Sequence, residues 1–187
     1  MEEEVQLQLE DTQEKMQKAL QHLEDELLRV RAGKATPNIL DGITVDYYGA
    51  ITPLNQVSNI STPDAKTIAI QPWDKTMIEA IEKAIMAANI GLTPANNGEM
   101  IRINIPPLTE ERRITLVKQI KNMAENTRVS IRNSRREAKE AFKQMKKDGL
   151  SEDQEIESEM KIQEMTDKYI EKVDKLVEAK EKDIMTI

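Results

Sequence analysis

Residues 109–149 read TEERRITLVKQIKNMAENTRVSIRNSRREAKEAFKQMKKDG, and they decide the fold. Thr109 is a helix-capping residue, and Glu110 and Glu111 follow it where acids complement the positive end of a helix. Asp148-Gly149 ends the pattern, since glycine reverses a helical chain at little steric cost. Between these signals, Leu116, Ile120, Met123, Thr127, Ile131, Ser134, Ala138, Ala141 and Met145 share one arc when residues advance by about 100° each. Phe142 sits at the edge of that stripe. One long helix cannot bury such a stripe alone, so it needs partner helices.

The flanking sequence supplies them. Upstream, Val5, Leu9, Met16, Leu20, Leu23, Leu27 and Val30 recur at helical spacing with charges between them. Downstream, Ser151 with Gln154 reads as a capping box for a final helix. Its apolar seam is read as Ile156, Met160, Gln163, Ile170, Val173, Val177 and Ile184. Three helices with one apolar stripe each predict an antiparallel three-helix bundle.

A different texture lies between the first and second helices. Ile43 to Tyr47 alternates as a half-buried strand does, and Val57 to Ile60, Thr67 to Gln71 and Met100 to Ile105 are further strand candidates. Thr76 to Ala88 predicts a helix with Met77, Ile78, Ile81 and Ile85 on one face. The fold class is therefore α+β. Residues 1–31 and 106–187 form the bundle, and residues 32–105 form an inserted β/α/β domain. The chain crosses between the two at Ala32 and Gly33 and again at Pro106 and Pro107, which predicts a double hinge.

The chain of 187 residues carries a net charge of −7, but the charge is segregated. Residues 112–147 hold 12 basic and 3 acidic side chains, whereas the rest of the chain holds 15 and 31. Such asymmetry predicts one surface that faces a polyanion. On the helical wheel Lys121, Arg128, Arg132, Arg135, Lys139, Lys143 and Lys146 fall within an arc of roughly 80°, next to the apolar stripe. Arginine forks suit bidentate contact with phosphate. A basic helix face of this kind also arises simply by pairing with acidic neighbours, and the final helix is rich in acids. Arg29 and Arg31 either extend the basic rail or offset the negative end of the first helix.

The composition excludes several classes. There are no cysteines, which removes disulfides, thiolate zinc sites and cysteine nucleophiles. His22 stands alone on a helix with no metal-ligand spacing around it, and no phosphate-cradling glycine loop is present. No cofactor and no enzyme are expected. Aromatics make up only 3% of residues, too few for a single-strand binder that stacks bases, so a rigid arginine rail suits the backbone of folded RNA. No apolar run reaches membrane-spanning length, and a cytoplasmic monomer is expected.

Several segments together resemble the ribosome recycling factor family. They are Arg31 to Pro37, Val45 to Gly49, Thr52 to Gln56, Ile81 to Ile85, Pro107 to Arg113, Ile131 to Arg136 and Lys180 to Met185. The resemblance runs in order along essentially the whole chain. It implies an L-shaped protein, similar in outline to transfer RNA, whose bundle lies along large-subunit ribosomal RNA. It also implies elongation factor G as the partner that hydrolyses GTP and drives the subunits apart. Arg132 matches the family arginine that contacts ribosomal RNA, Arg128 and Arg31 match supporting contacts, and Arg135 and Arg136 match the adjacent pair. Arg29 and Lys139 complete the expected RNA-facing set. Lys34 stands where the family usually has arginine. The alternative outside this family is a helical scaffold or chaperone-like module that binds proteins.

Overall fold

The computed structural model describes residues 1–186. The chain divides into two units, residues 1–30 with the chain from Arg113 onward, and residues 31–112. The division falls at Arg31 and Arg113 and not at Ala32 and Pro106. Residues 106–108 stay with the second unit because the Ile105 N–H donates to the Lys66 carbonyl at 2.7 Å and the Leu108 side chain covers Gly33. Gly33 has φ +74°, and a Cβ there would stand 2.9 Å from Leu108 Cγ, so only glycine fits this crossing without strain.

Three helices build the first unit: α1 (Glu2–Arg29), α3 (Glu110–Lys147) and α4 (Glu152–Met185). Both local caps form as their residues dictate. The Thr109 hydroxyl accepts the Arg112 N–H at 3.1 Å, and Ser151 and Gln154 exchange side-chain and backbone hydrogen bonds at the start of α4. Gly149, at φ +115°, lets the chain turn back, and the Leu150 N–H then reaches the Met145 carbonyl at 3.0 Å. The three helices therefore alternate in direction. Lys15 of α1 meets Glu137 of α3, and Gln17 of α1 accepts the Tyr169 hydroxyl of α4.

The core shifts two sequence expectations. Phe142 is fully buried, not at the edge of the α3 stripe, and packs with Ala138 and Ile162 against Val5, Leu9 and Met145. The buried seam of α4 is Ser158, Ile162, Thr166, Tyr169, Val173, Val177 and Ile184, while Ile156 and Met160 are 52% and 60% exposed. The seam was misphased because two of its positions are hydroxyls. Each is buried at no polar cost, since Ser158 donates to the Gln154 carbonyl at 2.6 Å and Thr166 to the Ile162 carbonyl at 2.7 Å. Thr12 and Thr127 do the same on α1 and α3, donating to the carbonyls of Gln8 and Met123.

The second unit pairs two small sheets with one helix. Strands β1 (Thr44–Tyr47) and β2 (Ala50–Pro53) form a hairpin whose two-residue turn, Tyr48-Gly49, has both φ angles positive, as the strand twist favours. Strands β3 (Ser58–Asp64), β4 (Thr67–Pro72), β5 (Pro94–Asn96) and β6 (Ile101–Asn104) form an antiparallel sheet in the order β3-β4-β6-β5. Helix α2 (Ile78–Ala87) buries Ile78, Ile81 and Ile85 in one cluster with Ile68 and Ile70 of β4 and Ile101 and Ile103 of β6. β2 and β5 were not legible beforehand, because Pro53, Pro94 and Asn96 are poor strand residues that only pairing with β1 and β6 makes extended.

The revised seam is testable by denaturant unfolding. Phe142→Ala is expected to cost about 3–5 kcal/mol, as a large buried ring replaced by a cavity does. Ile156→Ser is expected to cost less than about 0.5 kcal/mol. Equal losses at the two sites would restore the original phase.

Candidate nucleic-acid interface

The basic rail occupies α3 beside α4, and its charges are for the most part answered there. Lys121 lies 3.7 Å from Glu181, Lys139 4.0 Å from Glu159, and Lys146 2.6 Å from Glu155 and 4.0 Å from Glu152. Lys143 pairs within its own helix with Glu140 at 3.0 Å. The hydrogen bond to Glu155 is the main cause holding the Lys146 ammonium above its usual pKa, and Glu140 does the same for Lys143. The alternative reading of the rail, as a face paired with acidic neighbours, thus describes much of its α4-facing border.

Arg128 is the most tightly held member. Its Nε and Nη2 donate to Asp174 Oδ1 at 3.1 and 2.6 Å, and its Nη1 donates to Glu125 Oε2 at 3.3 Å. Asp174 is the principal cause raising its pKa further, and only 22% of its side chain is exposed. Arg132 is looser: Nη1 reaches Glu125 Oε1 at 3.2 Å and its side chain is 39% exposed.

Arg135 and Arg136 have no ion pair or hydrogen bond through their side chains among the described residues. Arg136 shares the outward face of α3 with Lys118 and Lys147, which are also unpaired among the described residues, and with the exposed Val129. α3 therefore presents two zones. One borders α4 and is neutralised except at Arg135, and the other faces away from the core with the open heads of Arg136, Lys118 and Lys147. The wheel reading missed Lys118 and Lys147, and it anticipated pairing with acids of the final helix without naming them. The acids were detectable, since Glu152, Glu155 and Glu159 recur three and four residues apart, and Asp174 and Glu181 seven apart, which places each set on one flank of α4.

The remaining expected residues lie elsewhere. Lys139 belongs to the paired border. Arg29 is exposed in the last turn of α1 without an ion pair among the described residues. Arg31 belongs to the second unit, where its guanidinium donates to the Ile90 carbonyl. Among the described residues no group of histidine and carboxylates is placed to hold a metal, and His22 is a solvent-exposed neighbour of Glu26.

The second unit exposes rings but not the charge that single-strand binding needs. Tyr48 is 77% and Trp73 70% exposed, yet the Tyr48 hydroxyl donates to Asp74 and Lys75 is held by Glu99 at 3.2 Å. Asp46 and Asp74 flank the rings, so a phosphate chain meets carboxylates there.

The family model described as ribosome recycling factor matches residues 23–185. The chain is 52% identical over 187 residues to the ribosome-recycling factor of Flavobacterium johnsoniae, with all of both chains covered. It is 51% identical over 179 residues to that of Phocaeicola vulgatus, covering 96% of each. A solution structure of a ribosome recycling factor superposes with a TM-score of 0.83 at 40% identity, covering 98% of both chains. A Thermus thermophilus ribosome recycling factor, placed with Escherichia coli elongation factor G on the E. coli post-termination complex, superposes with a TM-score of 0.65 at 45% identity, covering 97% of this chain and 99% of that one.

The Arg128–Asp174 contact is predicted to stabilise the bundle modestly. A double-mutant cycle with Arg128→Ala and Asp174→Asn, read by denaturant unfolding, is expected to give a coupling of about 1 kcal/mol, near the upper end for partly exposed pairs. Zero coupling would mean that the contact does not form in solution.

Proposed function

The chain belongs to the ribosome recycling factor family, and from that premise we propose that its bundle grips large-subunit ribosomal RNA through the outward face of α3. Its function is ribosome recycling, performed as a binding factor without enzymatic activity of its own. The observation that carries the proposed interface is the open Arg135-Arg136 pair beside the half-exposed Arg132. They project from a helix whose backbone is fixed by the burial of its core face, so their points of attachment are set before RNA arrives. Arg128, Arg31, Arg29 and Lys139 are the supporting contacts in this reading. Arg128 keeps Asp174 as a partner, and Lys139 must give up Glu159 to reach phosphate.

The partners are the post-termination ribosome and elongation factor G, the pair that the T. thermophilus relative joins in its solved assembly. GTP hydrolysis belongs to elongation factor G, and the outcome is subunit splitting and release from messenger RNA. The two crossings, beside Arg31 and between Leu108 and the first turn of α3, serve as the hinges on which the second unit moves. No helix among the described residues is long and apolar enough to span a membrane. Action in the cytoplasm as a monomer is part of the same proposal.

Light scattering of post-termination ribosomes mixed with this protein, elongation factor G and GTP tests the proposal. The wild-type chain is expected to give a drop that needs every component. Arg135→Ala combined with Arg136→Ala is expected to slow it roughly tenfold with helicity unchanged, and to flatten the dependence of ribosome affinity on salt by about one unit of slope per lost phosphate contact. An unchanged rate and slope would remove these arginines from the interface.

A further inference from the structure

The basic stretch of α3 contains one acid that its charge pattern does not require. Between Glu111 and Glu137, Glu125 is the sole carboxylate, and it stands one turn before Arg128 and two turns before Arg132. Its two oxygens are divided between them, Oε2 accepting from Arg128 and Oε1 from Arg132. Arg128 has a second anchor in Asp174, whereas Glu125 is the only hydrogen-bond partner of the Arg132 side chain among the described residues.

We infer that Glu125 competes with ribosomal phosphate for Arg132, lowering the affinity of the α3 face for RNA in general. The inference rests on the interface proposed above. Carboxylate and phosphate present the same kind of acceptor to a guanidinium, so one occupies the place of the other. The Glu125 and Arg132 side chains are 54% and 39% exposed, so their ion pair is weak enough to exchange when a well-placed phosphate arrives. After the exchange the carboxylate remains two turns back along α3 and repels the incoming phosphate. A matched ribosomal site, with several contacts at once, overcomes that repulsion. An unmatched RNA that offers one or two phosphates does not, so Glu125 widens the gap between specific and nonspecific binding. A factor that must leave after every round also gains from an interface that is not maximally tight.

The test is equilibrium binding of the full chain to purified large ribosomal subunits, and separately to an unrelated RNA duplex, at low and at physiological salt. Glu125→Gln keeps the size and helical preference of the side chain and removes the charge. It is expected to tighten binding to large subunits roughly two- to fivefold at low salt, to tighten duplex binding by a larger factor, and to leave the melting temperature unchanged. Glu140→Gln makes the same change in net charge at an acid paired with Lys143 instead, and is expected to stay within about twofold of wild type. In an Arg132→Ala background most of the gain from Glu125→Gln is expected to vanish. Weaker binding of Glu125→Gln would overturn the inference, because Glu125 would then hold Arg132 ready for RNA. An equal gain from Glu140→Gln, or a gain that survives in the Arg132→Ala background, would overturn it in favour of a general charge effect. If Arg132→Ala alone binds as wild type does, the α3 interface itself fails, and the inference with it.

Discussion

The burial of one face of α3 is the constraint on which the rest depends. The helix runs 38 residues, and it holds together as one element because α1 and α4 cover Leu116, Ile120, Ala124, Ile131, Ala138 and Phe142. That cover fixes the rotation of the helix about its own axis. Once the rotation is fixed, every other side chain on α3 has a defined direction. Arg136, Lys118 and Lys147 must face away, Arg128 and Lys146 must meet α4, and Glu137 must meet Lys15 of α1. Core packing and the functional surface are therefore one arrangement seen from two sides.

The same geometry accounts for the charge distribution. The chain is acidic as a whole, yet its acids are not simply spread to keep it soluble. Those on one flank of α4 neutralise the near border of the α3 rail and leave the far border open. The surface offered to RNA is thus narrower than the sequence count of basic residues suggests. Glu125 extends the same logic onto α3 itself, where it restrains the two arginines nearest the middle of the helix.

What was legible in the sequence was local. Thr109, Ser151 with Gln154, and Gly149 carry their capping chemistry in a few adjacent residues, and all of them cap as expected. The α2 face was legible for the same reason, since Met77, Ile78, Ile81 and Ile85 repeat cleanly. The α4 seam was not, because Ser158 and Thr166 look like surface residues until their hydroxyls are seen to bond back to their own helix. Nor was the engagement of Arg128, which depends on which residue of α4 lies opposite it, 46 positions along the chain. The identity of the arginines could be read from the sequence, but which of them remain open depends on packing.

The central claim is that the outward face of α3 lies against large-subunit RNA. The chain has no cysteines, so a single cysteine can carry a hydroxyl-radical source to one chosen position. Val129, 45% exposed between Arg128 and Arg132, serves as the α3 position, and Leu7, 65% exposed on α1, as the reference. With the derivatised protein bound to ribosomes, the account predicts strong cleavage of large-subunit RNA from Val129→Cys and little from Leu7→Cys. Cleavage from Leu7→Cys with none from Val129→Cys would contradict it.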